Sequence, residues 1–326
     1  MHLVSGEGRR FGGVIWDSHS GIIFDDAVQP TYLQRYIDSG VTLLTLNVGS
    51  DVSPWSECIK NLSVYRAAVA ARPHQCIIVR SEKDIRQAKT DRKLAIVFDI
   101  EGMSALDGSL EMLSLYYDLG VRQMTLTYNR NNGAASGCHD EDQGLTNFGR
   151  NIVEKMNRIG MVIDCSHVSY NSSMEAIQIS EKPVIFSHSN CKSVYGHERN
   201  ISDEQIIACA AKGGVSGVTG LGIFLGTGDA SVEALVRHID HKADLVGPKH
   251  VGIGLDYFPD CKDLVLSWNT VYWPSSQYPN GPNLGFMDPE AFPQIADTLS
   301  MRGYSDRDVR GIMGENFLRV ANHVWK

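Results

Sequence analysis

The sequence predicts an α/β chain folded as a TIM (β/α)8 barrel, and three observations carry that expectation. Eight short β-rich runs alternate with longer amphipathic stretches along the 326 residues. Several of these runs are almost continuously apolar, as suits strands covered by helices outside and packed by side chains inside. Five of them end in a residue able to hold a metal ion, and parallel barrel strands present their C-terminal ends to one face.

The strand candidates are VIWDSH (14–19), TLLTLNV (42–48), AIVFDIE (95–101), QMTLTY (123–128), MVIDCSH (161–167), PVIFSHS (183–189), GVSGVTG (214–220) and HVGIGLD (250–256). Eight strands close a parallel barrel. Between them, LTNFGRNIVEKMNRIG (145–160) reads as a helix. Thr146 and Asn147 are caps, Gly160 is a stop, and Phe148, Ile152, Val153, Met156 and Ile159 share one face. SDEQIIACAAKGG (202–214) carries acids in its first turn, then Lys212 and two glycines at its end. Segments 229–244 and 288–301 read similarly, and 305–325 is expected to close the outside of the barrel. Residues 257–288, rich in Pro, Asn, Ser, Tyr and Trp, read as a long loop after the last strand, where barrels build active-site structure. No repeat, low-complexity tract or linker divides the chain, so 1–326 is expected to form one domain.

At 43% hydrophobic and 21% charged residues, the chain has the material for one large core. Its net charge of −8 excludes nucleic acid or an anionic membrane as the main partner. A small anion is not excluded, because one local arginine can bind it. The seven cysteines (Cys58, Cys76, Cys138, Cys165, Cys191, Cys209 and Cys261) form no CxxC pair and read as free thiols of a reducing compartment. The first residues lack the apolar run of a signal peptide, and no stretch approaches a membrane span. A cytoplasmic protein is the expectation.

The chemistry lies at the strand ends. His19, Glu101, His167, His188 and Asp256 close the first, third, fifth, sixth and eighth of the runs above. Far apart in sequence, they are expected to converge on one mouth. Imidazole nitrogen and carboxylate oxygen are the donors that zinc and related divalent ions accept in catalytic sites. Glu101 has two oxygens with which to bridge two ions. Asp256 can take a proton from an attacking water and pass it to a leaving amine.

At these residues the sequence resembles a known family. GLTNFGRNIVEKMNRIGMVIDCSHVS (144–169), KPVIFSHSN (182–190) and HERNISDEQI (197–206) look like the membrane dipeptidase family of the amidohydrolase superfamily. DSH (17–19), FDIEG (98–102), VGIGLD (251–256) and GENFLRV (314–320) are similar to its other landmarks. The resemblance implies a barrel with a two-zinc site that hydrolyses dipeptides. It implies Glu101 as bridging carboxylate, His167 and His188 on one metal, and His19 and Asp256 on the other. It implies Arg199 as the group that binds the substrate carboxylate, a task suited to a guanidinium fork. Homodimers are common in this superfamily.

Three departures from the family pattern stand out. The first motif, Asp-x-His-x-Asp in the family, is Asp17-Ser18-His19-Ser20-Gly21 here, so its second acid is missing. One or two ions are therefore both compatible with the sequence. Asp17 shares the alternation of His19 but one layer deeper. Where the family has an oxyanion-stabilising histidine, MTLTYN (124–129) offers Tyr128, whose phenol can donate to the oxyanion and contact the substrate. The aromatic residue usual after strand seven is replaced by Val218-Thr219-Gly220-Leu221-Gly222, and Tyr257, Phe258, Trp268, Tyr272 and Trp273 are candidates for a lid. The leading reading is hydrolysis of a dipeptide, or a similar small amide with a free carboxylate, by metal-activated water. The alternatives are a non-peptide amidohydrolase acting on an N-acyl amino acid or lactam, and a binding protein that has lost catalysis.

Overall fold

The structure is a computed structural model that describes residues 12–21, 29–226, 228–258 and 269–326. Its described strands are β1 (Trp16–Ser20), β2 (Leu43–Ser50), β3 (Cys76–Ile78), β4 (Leu94–Glu101), β5 (Val121–Thr125), β6 (Val162–Asp164), β7 (Ile185–Phe186), β8 (Val215–Val218) and β9 (Val251–Ile253). All pair in parallel in the order β1-β2-β4-β5-β6-β7-β8-β9. The two ends of that order meet. Ser20 and Tyr257 form a parallel bridge, Asp256 N donates to His19 O at 3.0 Å, and Gly21 N donates to Tyr257 O at 3.1 Å. The expected barrel is present.

Two details differ from the sequence reading. β3 lies outside the eight expected runs. It is three residues long, leaves Ile77 41% exposed, and pairs only with Leu94–Ile96 at the start of β4, so it has no long apolar run to read. The ladders also end below the mouth. β6 stops at Asp164 and β7 at Phe186, which puts His167 and His188 on the turns beyond their strands rather than at strand ends.

The alternation of β4 shows how the sequence builds both the core and the site. All eight of its residues are buried. Ile96, Phe98 and Ile100 pack outward under the helices, whereas Ala95 and Val97 join Trp16, Leu43, Val162, Ile185 and Val215 in a separate cluster. Asp99 and Glu101 continue the second series toward the mouth. Phe317, from the helix Asn316–Val324, belongs to this cluster and seals its base. Gly252 is required there, because a Cβ would run into the Phe317 ring. The helix Asn147–Ile159 forms as its sequence indicates: Thr146 Oγ1 accepts from Gly149 N at 3.0 Å, Gly160 turns left-handed at φ 89°, and Ile152, Val153 and Met156 are buried. Cys58, Cys76, Cys138, Cys165, Cys191 and Cys209 are free thiols; Cys261 lies outside the described residues. Among the described residues, no helix is long and apolar enough to cross a membrane.

One buried histidine gives the fold a pH dependence. His238 Nδ1 accepts from Cys191 N at 3.1 Å, and its Nε2 lies 3.1 Å from Leu225 O, so the neutral ring is held from both sides. Burial, opposed by the Leu225 carbonyl, lowers its pKa from 6.5 to about 4. Between those values the unfolded chain binds a proton that the folded chain refuses. Stability therefore falls as pH falls through this window, by ~3 kcal/mol at its lower end. Denaturant unfolding at pH 7 and at pH 4 measures the loss, and His238→Gln is expected to flatten it.

Candidate active site

Three imidazoles face one carboxylate oxygen at the mouth of the barrel. Glu101 Oε1 lies 2.9 Å from His167 Nε2, 3.3 Å from His188 Nε2 and 3.7 Å from His19 Nε2. The two nitrogens of His167 and His188 are 3.0 Å apart. His19 stacks on His188, with centroids 3.9 Å apart and planes at 13°. Asp256 Oδ1 stands 3.5 Å from His19 Nε2. The five predicted ligands thus converge, although their strands are spread from residue 16 to residue 253. His167 and Asp256 hold left-handed backbone, at φ 65° and 57°, as does Asn129 at 60°. Such conformations are costly for residues other than glycine, and they turn these side chains inward at the strand ends.

Each ring is held from behind. His19 Nδ1 pairs with Asp99 Oδ2 at 2.6 Å, and Gln123 Nε2 reaches the same oxygen at 3.3 Å. His188 Nδ1 lies 2.6 Å from Ser187 Oγ, which in turn donates to Asp164 Oδ2. His167 Nδ1 has two neighbours, Asn129 Oδ1 at 2.7 Å and Arg199 Nε at 3.1 Å. One nitrogen cannot donate to the first and accept from the second at once. If Nε2 serves as a ligand, the proton sits on Nδ1 and goes to Asn129, as in metal sites whose histidines are oriented by an outer partner.

The electrostatics are those of a set of cation donors. Glu101 Oε1 is buried and makes no hydrogen bond, despite the three nitrogens facing it. Burial pushes the Glu101 carboxyl up to about 8; the His19 charge opposes this, and Asp256 and Asp99 add to it. Burial, followed by the positive charge of Arg199 and His19, holds His167 and His188 well below the usual histidine range. For His19 burial works the other way from the result: Asp99 and Glu101 outweigh it and keep the ring well above that range. The donor set fits a divalent ion. Two ligands ~2.0–2.1 Å from one tetrahedral zinc lie roughly 3.4 Å apart, close to the spacings around Glu101 Oε1. The tight triangle is Glu101, His167 and His188, while a looser grouping of Glu101, His188 and His19 also lies within 4.8 Å. They share two members and describe one cluster.

A cavity of about 220 Å³ opens above the cluster, lined by His19, Glu101, Tyr128, His167 and Asp256. Its outer wall is largely apolar: Leu221, Phe224, Phe258, Trp273, Tyr278, Leu284 and Phe286. The Tyr128 ring rests against His167 at 4.4 Å. Burial, then the charges of Glu101 and Asp256, hold its hydroxyl well above the usual tyrosine range, so it stays protonated. Its backbone amide donates to Asp51 Oδ2 at 3.0 Å; the same carboxylate accepts from Ser104 N at 2.8 Å and Asn132 Nδ2 at 2.8 Å. Gly102 leaves room for that carboxylate, since a Cβ there would collide with it. Asp51 O also receives the Tyr272 hydroxyl at 2.8 Å, which ties the 269–287 segment to the mouth.

Several sequence expectations change here. Arg199 is not on the wall of this cavity. It is 2% exposed, bonded to Ser189 Oγ at 2.8 Å and His188 O at 2.9 Å, and its Cζ lies 5.8 Å from the Phe224 ring. Among the described residues, no carboxylate lies within ion-pair distance of it. Asp17 belongs to barrel closure: its Oδ1 accepts from Leu255 N at 2.8 Å, and burial pushes its pKa to about 7. Of the lid candidates, Phe258 and Trp273 reach the cavity, Tyr272 anchors the segment, and Tyr257 is buried at the barrel closure. Trp268 lies outside the described residues. Sequence reasoning missed Asp99, Asn129, Ser187 and Asp51. Only Asp99 left a signal, two residues before Glu101 on the same strand face.

Comparison with known proteins agrees with this geometry. The family model for membrane dipeptidase (peptidase family M19) matches residues 54–272. An uncharacterized dipeptidase of Schizosaccharomyces pombe is 29% identical over 313 residues, covering 93% of this chain and 67% of its own length. Dipeptidase 3 of Mus musculus is 33% identical over 241 residues, covering 72% of this chain and 45% of its own. The chain thus spans about half to two thirds of these relatives. An amidohydrolase from Pseudomonas aeruginosa superposes with a TM-score of 0.87 at 28% identity, covering 97% of this chain and 98% of that one. With a barrel mouth of this composition and a family match over more than half of its length, the chain belongs to the membrane dipeptidase family, peptidase family M19.

Proposed function

We propose that the chain hydrolyses dipeptides, or similar small amides with a free carboxylate, with a divalent ion held by Glu101, His167 and His188 and with His19 and Asp256 completing the cluster. The observation that carries this reading is the orphaned Glu101 oxygen among three imidazoles at the foot of a cavity. Zinc suits this mixture of imidazole nitrogen and carboxylate oxygen. When bound, such an ion polarises the scissile carbonyl and makes a water acidic enough to attack near neutral pH.

The protein groups do the rest. Asp256, with 21% of its side chain exposed, takes the water's proton and returns it to the leaving amine. Tyr128 donates a hydrogen bond from its hydroxyl to the developing oxyanion, from a position braced by Asp51. The apolar outer wall takes an uncharged side chain of the substrate. Arg199, next to the Phe224 ring that lines the cavity, holds the substrate carboxylate.

Zinc-reconstituted protein assayed on a panel of dipeptides and N-acyl amino acids tests the reading. Turnover of dipeptides with apolar side chains is expected; no turnover with the ion bound rejects it. Preference for substrates without a free amino group supports the second reading, a non-peptide amidohydrolase acting on an N-acyl amino acid or lactam. Tyr128→Phe is expected to lower kcat by ~10²-fold at unchanged metal content. An unchanged kcat removes Tyr128 from the mechanism.

A further inference from the structure

The cluster is lopsided, and its two halves differ in kind. A carboxylate that bridges two ions ~3.5–4 Å apart gives one oxygen to each. Glu101 instead turns the same oxygen, Oε1, toward His167, His188 and His19. The flat stacking of His19 on His188 brings those two imidazoles alongside each other toward that oxygen. Glu101 Oε1, His167 and His188 therefore form one tight triangle, and His19 stands beside it.

Beside His19 Nε2, the described residues bring one further carboxylate apart from Glu101, that of Asp256. Gly21 has no side chain, and the Phe258 ring occupies the space next to it: a Cβ on Gly21 would fall 2.6 Å from Phe258 Cδ2. A phenyl ring donates nothing to a cation, and it displaces the water that an ion with few protein ligands needs to complete its shell. Asp17, the other acid of β1, accepts from Leu255 N, which engages one of its two oxygens. Asp256 is left as the remaining carboxylate on that side, 3.5 Å from His19 Nε2.

We propose that this chain retains a single divalent ion, at the triangle of Glu101 Oε1, His167 and His188, and that Gly21 and Phe258 together close the place of a second beside His19. The inference rests on the metal-dependent reading above and sharpens it. It leaves Asp256 uncommitted to a second ion and available to carry a proton.

Metal counting tests this without reference to turnover. Metal-free protein is loaded with excess Zn²⁺, desalted, and analysed for zinc per chain; a Co²⁺ titration followed by visible absorption gives an independent count. One retained equivalent is expected by both methods. The paired variant Gly21→Asp, Phe258→Ala restores an acid and the room for it, and is expected to retain two. Two ions per wild-type chain overturn the inference and leave the hydrolase reading standing. No retained ion overturns both. A double variant that melts as a folded protein yet holds one ion overturns the role given to Gly21 and Phe258.

Discussion

Replacing Glu101 by glutamine is expected to empty the site of metal and to lower kcat/KM by ~10³-fold or more, equivalent to ~4 kcal/mol of transition-state stabilisation. Glu101 supplies the anionic oxygen around which the three imidazoles gather, and no other carboxylate lies within ion-pair distance of His167 or His188 among the described residues. An amide of the same size removes the anionic member of the His167–His188 triangle and weakens its hold on the ion. The packing should survive. The carboxyl is buried, and burial already favours its uncharged form, so glutamine relieves a desolvation cost that the metal-free protein bears. Retained zinc, kcat/KM and the melting temperature of the metal-free form are the measurements. Normal zinc content in the variant would remove Glu101 from the ligand set.

The second large effect is expected at Asp256. Asp256→Asn should lower kcat by ~10²–10⁴-fold, the usual worth of a positioned acid–base group. Its zinc content should stay close to wild type, because the tight donors lie on the other side of Glu101. The residue sits at φ 57°, a conformation that asparagine tolerates nearly as well as aspartate, so the backbone has no reason to move. Loss of metal along with rate would instead make Asp256 a ligand of the retained ion. The contrast with Glu101 is what separates holding the ion from moving the proton.

The site was legible in the sequence to the extent that strand position implies spatial position. His19, Glu101, His167, His188 and Asp256 could be assembled because a parallel barrel brings strand C-termini to one face. What supports them was not legible. Asn129, Ser187 and Asp51 reach the site from turns whose left-handed or irregular backbone breaks the two-residue alternation. β3 went unread because three residues on the outer part of a sheet carry no periodicity.

By itself, then, the sequence determined the barrel, the identity of the convergent donors and the missing acid at Gly21. The first two follow from apolar runs, their spacing and residue type, which are properties of the chain read in order, and the third follows from the family resemblance. Only the tertiary structure decided that Arg199 is buried next to the Phe224 ring and off the cavity wall, that Phe258 fills the space beside Gly21, and that one oxygen of Glu101 faces all three histidines. These are matters of rotamer and contact between segments from 25 to more than 200 residues apart, and packing, rather than any local pattern, sets them.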